Sequence, residues 1–127
     1  MTFDWLDYLT LAQNLAGQTV IVSEQAKLRS AISRAYYAAF HQAKQVLEEK
    51  DRLTIPLQNV HKFVIHQFQN HPDPIRQKIG NRLQVLRGYR NQADYESSTS
   101  ITANTCQESL TLARRIVSSI DSLYHYL

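Results

Sequence analysis

The segment Arg87-Gly-Tyr-Arg-Asn-Gln-Ala-Asp-Tyr-Glu96 holds the side chains of this chain best suited to chemistry. Arg87, Arg90 and Asp94 are spaced three and four apart, so on a helix they share one side. Arg90 also falls within the arc set by Ile79, Leu83 and Leu86, which puts a permanent cation on an apolar face. Two readings of this cation are open. In one, Arg90 and Asp94 form an internal ion pair that holds the structure together. In the other, the arginines clamp phosphate: the planar guanidinium fork matches phosphate oxygens, and a helix-mounted pair would hold a phosphodiester while charge develops on it. A second strip, Arg34, Tyr37 and His41, has the same spacing and lies off the main apolar arc of its helix. It could face solvent, a partner or a groove, and taken alone it is best explained as an ordinary surface face.

Other chemistries are poorly supplied. The chain has no Gly-rich phosphate loop, no HExxH, no GxSxG and no calcium loop. Of its five histidines, His61 and His66 stand five apart, about 140° around a helix, a poor pair for one ion, and no metal site is expected. Cys106 has no second thiol to pair with, and its apolar neighbours mark it as a small core residue. A net charge of +3 mildly favours an anionic partner such as RNA.

The elements that must position these groups are all helical. At 127 residues the chain has room for a single domain, 1–127, with a modest core. Hydrophobic residues make up 43% and charged residues 20%, the proportions of a soluble globular protein, and nothing approaches a membrane span. The first residues carry no secretory pattern, so the expected location is the cytoplasm. Three glycines and three prolines separate segments whose apolar residues recur at three and four. The first helix starts from Asp4 as N-cap, turns Trp5, Leu6, Leu9, Leu11 and Ala12 inward or nearly so, and stops at Gly17. The second starts at Ser23 and runs to about Lys50, with Leu28, Ile32, Ala35, Ala39, Ala43 and Val46 on one face, widened by Tyr36, Phe40 and Leu47. So broad a face makes this the central helix, and its alanines let neighbours approach closely. Asp51 to Leu57 reads as a connection, and Asn59 as the cap of a helix carrying Val60, Phe63, Val64 and Phe68. Asp73-Pro74 opens a long fourth helix with Ile75, Ile79, Leu83, Leu86 and Ala93 buried and Gly88 locally weak. After a polar break at Ser97 to Ser100, Thr102 caps a fifth helix with Cys106, Leu110, Ala113, Ile116 or Val117, Ile120 and Leu123 inward. The fold expected is an all-α, antiparallel up-and-down bundle of five helices.

Three segments in order, Ser33-Arg-Ala-Tyr-Tyr-Ala-Ala-Phe-His41, then His61, then Leu86-Arg-Gly-Tyr-Arg-Asn-Gln-Ala-Asp-Tyr95, resemble the HEPN superfamily, and more narrowly its small stand-alone prokaryotic members. The resemblance covers roughly Ser23 to Ser122. It implies a helical bundle that forms a homodimer with paired motifs facing a shared cleft, and a metal-independent endoribonuclease of the toxin type, encoded beside a nucleotidyltransferase antitoxin. No cofactor is implied. The family motif is Arg, a polar residue, three variable residues, then His; Arg90 and Asn91 match its first positions, and Tyr95 stands where the histidine belongs. Cleavage through the ribose 2′-hydroxyl benefits from a base that titrates near neutrality, which histidine supplies and tyrosine, ordinarily near 10, does not.

The resemblance therefore makes Arg90, Asn91, Asp94 and Tyr95 the catalytic candidates, and Arg87, Arg34, Tyr37 and His41 the substrate-binding ones. His41 and His61 are the remaining groups able to replace the base, but a lone helical histidine is more often structural or on the surface, and that reading is preferred for both. By analogy with members adenylated by their nucleotidyltransferase, Tyr89 or Tyr95 would be the acceptor, although the acceptor position of the longer motif holds Ser97. The alternative to a ribonuclease is a non-catalytic module that binds nucleotide, RNA or a nucleotidyltransferase partner.

Overall fold

A computed structural model describes residues 3–17 and 23–125, and within them five α-helices and no strand. They are α1 (Leu6–Ala16), α2 (Glu24–Gln45), α3 (Val60–Gln69), α4 (Pro74–Tyr95) and α5 (Ala103–His125). A π-helical turn, Val46–Lys50, continues α2 to the end expected for it. The all-α bundle is therefore as the periodicity predicts.

Local signals set most of the helix starts. Ser23 Oγ accepts the Ala26 amide at 3.2 Å, Asp73 Oδ1 accepts Ile75 N–H at 3.0 Å ahead of Pro74, and Thr102 Oγ1 accepts Thr105 N–H at 3.1 Å. Asp4 Oδ1 likewise accepts Leu6 N–H at 3.0 Å. Asn59 behaves differently from the expectation. Its side chain caps nothing; its backbone is left-handed, with φ 56° and ψ 39°, and turns the chain into α3. Asparagine is one of the few residues that accept this conformation cheaply, so the residue type is explained by backbone rather than by side-chain capping.

The central role of α2 follows from its composition. Leu28, Ala31, Ile32, Ala35, Tyr36, Ala38, Ala39, Phe40 and Ala43 are all buried, and α2 packs against each of the other four helices. Small residues also bring α3 and α4 together: a Cβ on Gly80 would meet Gln69 N at 2.6 Å and the Phe68 side chain at 3.0 Å. Two expected core positions are corrected. Leu11 is 41% exposed while Ala12 is buried, because the short α1 turns only a narrow stripe inward. Ile75 is 38% exposed, and the neighbouring Arg76 takes the buried place. Arg76 can do so because Asp51 neutralises it, with Nη2 to Oδ1 at 2.8 Å, while its guanidinium lies over the Phe68 ring. No described helix is long and apolar enough to cross a membrane.

Candidate functional site

The packing of α4 on α2 carries Arg90 into a cage of phenol rings. Its guanidinium carbon lies 5.0 Å from the centroid of Tyr36, 5.3 Å from that of Tyr37 and 5.6 Å from that of Tyr95. Negative ring faces stabilise a cation withdrawn from water, which lets Arg90 sit 95% buried with little formal counter-charge. Nη1 donates to the Tyr95 hydroxyl at 3.1 Å and lies 3.8 Å from Asp94 Oδ2. The Asp94 carboxylate is partly exposed and also accepts a 3.3 Å hydrogen bond from Ser33 Oγ.

The arginines are not fully satisfied. Nε of Arg90 and Nε of Arg87 are both buried without a hydrogen-bond partner. Buried donors are rarely left unpaired, and two such N–H groups on successive turns of one helix mark a place where an acceptor is wanted.

Beneath the cage the hydroxyl of Tyr36 lies 2.7 Å from Nδ1 of His61, and the His61 ring stacks on Phe40 at 4.2 Å. Burial pushes the Tyr36 hydroxyl well above its ordinary value, with Arg90 and Arg87 pulling the other way, so it keeps its proton at neutral pH. His61 is lowered from 6.5 to about 4, first by burial and then by Arg90, Arg87 and His41. Arg90, which can only donate, also lies against the Tyr36 hydroxyl, so the direction assigned to the contact has Tyr36 donating its proton to Nδ1 of the neutral imidazole. His61 is thus held by structural contacts, as expected, and the Tyr36 ring it bonds is one that Arg90 also lies over.

The second expected strip comes apart. Arg34 leaves it to lie over the Tyr8 ring at 5.0 Å, and His41 stacks on Trp5 at 3.6 Å with the rings 14° from parallel. Burial, with a smaller push from Lys44, lowers His41 to about 4. Tyr37 of that strip reaches Arg90 while its ring stays 6.1 Å from that of His41, and Tyr8 of α1 and Trp5 just before it engage the other two. Of the catalytic candidates, Arg90, Asp94 and Tyr95 are brought together, Asn91 is exposed on α4, and Tyr95 is 71% exposed at the mouth. Tyr89 points elsewhere, donating its hydroxyl to Glu108 Oε2 on α5 at 2.6 Å.

Sequence reasoning missed Arg29. Its guanidinium donates to the carbonyls of Gln92 at 3.2 Å, Ala93 at 3.0 Å and Glu96 at 3.1 Å, and to that of Thr99. A cation on the last carbonyls of α4 compensates the helix dipole and fixes the turn that carries Asp94 and Tyr95. Its only sequence signal is a place one turn before Ser33 on the same side of α2. An open groove of ≈490 Å³ lies beside Asp94 and Tyr95, walled by Gln25, Arg29, Ser97 and Thr99. Among the described residues no three His, Cys, Asp or Glu side chains gather closely enough to hold a metal ion.

Comparison with known proteins gives two matches. The model of the HEPN domain family matches residues 13–123. The chain is 30% identical over 120 residues to an uncharacterised protein of the archaeon Methanocaldococcus jannaschii, covering 84% of this chain and 71% of the other. No solved structure gives a significant match.

Proposed function

The chain belongs to the HEPN domain family, and from that premise we propose that its Arg90 site holds an RNA phosphodiester and promotes cleavage through the ribose 2′-hydroxyl. HEPN proteins are often ribonucleases or nucleotide-related, and they commonly dimerise. The observation that carries the proposal is the pair of buried, unpartnered Nε groups on Arg87 and Arg90. Phosphoryl oxygens are the acceptors such donors lack, and the two cations stabilise the negative charge that builds on the non-bridging oxygens as P–O2′ forms and P–O5′ breaks, the O2′ proton passing to solvent and O5′ taking one from it. Asp94 and the Tyr95 hydroxyl, both within reach of Arg90 Nη1, hold the guanidinium in register. In a dimer, two such sites would face one cleft, and the finer reading is a toxin paired with a nucleotidyltransferase.

The test is incubation of RNA with purified protein in a chelating buffer. Cleavage leaving 2′,3′-cyclic phosphate ends, abolished by Arg90→Met, is expected; RNA that is neither cut nor bound sinks the proposal. Growth arrest on induction, relieved by a neighbouring nucleotidyltransferase, checks the toxin reading. Adenylation is checked by mass spectrometry after co-expression; Tyr95 is the more accessible acceptor, since the Tyr89 hydroxyl is held by Glu108.

One observation favours a second reading, a non-catalytic module that binds RNA or nucleotide. The motif position of the base holds an exposed tyrosine, and Nδ1 of the one imidazole in the cluster is already taken by Tyr36. RNA binding that depends on Arg90 without any cleavage identifies that case.

A further inference from the structure

The Tyr36–His61 pair joins the Arg90 cluster from α3, an element that contributes nothing to the arginine motif. Its geometry is asymmetric. The inner edge of the imidazole is fixed by the buried Tyr36 hydroxyl at 2.7 Å, and one face is packed on Phe40 at 4.2 Å. The outer edge carries Nε2, which makes no hydrogen bond and is not among the buried unpartnered atoms, so it is open to solvent. With Arg90 supplying only donors to the Tyr36 oxygen, the Tyr36 proton is assigned to Nδ1, which puts the proton of the neutral ring on Nε2.

We propose that His61 is a ligand-touching residue of this site, a hydrogen-bond donor through Nε2 to a phosphoryl oxygen held by Arg87 and Arg90, with Tyr36 as the positioning residue that locks its tautomer. This rests on the phosphate reading of the arginines and adds a third donor from another helix. A coupling follows. The groups facing His61 are Tyr36, Tyr37 and His41 on α2 and Arg87 and Arg90 on α4. In the free protein, burial and the two arginines keep it neutral down to about 4. A bound phosphate offsets the arginine charge and offers the imidazolium a direct anion, so binding raises the affinity of His61 for a proton. By linkage, the anion then binds more tightly as pH falls toward the free-protein value, about tenfold for each pH unit by which binding raises the His61 pKa.

The probe is a short single-stranded 2′-deoxy oligonucleotide, which carries the phosphodiester but lacks the nucleophile. Its affinity for the full chain is measured by titration between neutral pH and about 4.5, alongside imidazole nitrogen NMR of His61. The expected results are an Nε2-protonated ring in the free protein, displacement of its resonances on binding, and affinity that rises with acidity. His61→Gln, which stays neutral, removes the His61 part of that rise and also weakens binding at neutral pH by the loss of the Nε2 donor, leaving the weaker, pH-independent share that Arg87 and Arg90 provide. Tyr36→Phe yields a mixture of tautomers and weaker binding. Two outcomes overturn the proposal and are told apart. If binding depends on Arg90 but His61 is unmoved and His61→Gln shows the same pH slope, the histidine role fails and the phosphate reading stands. If the oligonucleotide shows no Arg90-dependent binding, the phosphate reading fails and the histidine role falls with it.

Discussion

Arg90 and Asp94 stand 3.8 Å apart one turn along α4, yet only the arginine is buried. This inequality decides what the pair is worth. Removing one partner of a buried ion pair is costly when the survivor is a stranded charge, but Asp94 without Arg90 keeps its access to water and its Ser33 hydrogen bond. The phenol cage, rather than the carboxylate, is what accommodates the cation.

Arg90→Met should therefore change stability by no more than about 1 kcal/mol in either direction, since an unbranched apolar side chain fills the cage and removes an unpaired Nε. Oligonucleotide binding should be lost in the same variant. Denaturant titration and a binding isotherm on one preparation check both halves. A loss of stability of ~3 kcal/mol or more would make Arg90 primarily a structural residue.

Arg29 supports the site from outside it. Replacing it with methionine leaves the end of α4 without its cation, and a stability loss of about 2–3 kcal/mol is expected from hydrogen bonds to a charged donor. The loss should be local before it is global. Amide exchange at Asp94, Tyr95 and Glu96 should accelerate in Arg29→Met while α2 stays protected. Unchanged exchange there would show that the carbonyl contacts do not hold the turn.

The features readable along the chain are those whose causes are local. Ser23, Asp73-Pro74 and Thr102 announce helix starts because the cap and its amide are two or three residues apart. The broad apolar face of α2 likewise gives its central place. What escapes the sequence depends on residues far away in it. Arg76 is buried only because Asp51, 25 positions earlier, neutralises it, and Arg29 acts on carbonyls more than 60 positions on. The Arg34–Tyr37–His41 strip looks like one surface until α1 and the Trp5 before it lie against it, drawing Arg34 to Tyr8 and His41 to Trp5 while Tyr37 meets Arg90. The Arg90 cluster itself was half legible: helical spacing gives Arg87, Arg90 and Asp94, while the Tyr36–His61 pair needs the tertiary fold.

The two glycines of α4 should respond in opposite directions. Gly80→Ala puts a methyl within 2.6 Å of backbone nitrogen on α3, so the helices must part, at a cost of about 1–3 kcal/mol. Gly88→Ala meets nothing within 4 Å, and its gain in helix propensity should stabilise by about 0.5–1 kcal/mol. Melting curves of the two variants decide this; equal effects would mean that α3 and α4 are not in the close contact seen at Gly80.

His41 and His61 give the fold a dependence on pH in a defined window. Both are lowered from 6.5 to about 4, in each case first by burial, with Lys44 adding to the effect at His41 and Arg90, Arg87 and His41 adding to it at His61. Between those values the unfolded chain binds protons that the folded chain refuses, so acidity favours unfolding. The contribution of these groups to stability is complete above about 6.5, declines as pH falls to about 4, and is absent below it. Both rings are only partly buried, so solvent screens the effect, and the direction rather than its size is the prediction. Carboxylates titrate in the lower part of the same window, and the informative quantity is therefore the difference from a variant. In His41→Gln with His61→Gln, the denaturation midpoint should fall less steeply with acidity than in the parent chain. Parallel slopes would show that the two imidazoles take up protons in the folded protein as readily as in the unfolded one.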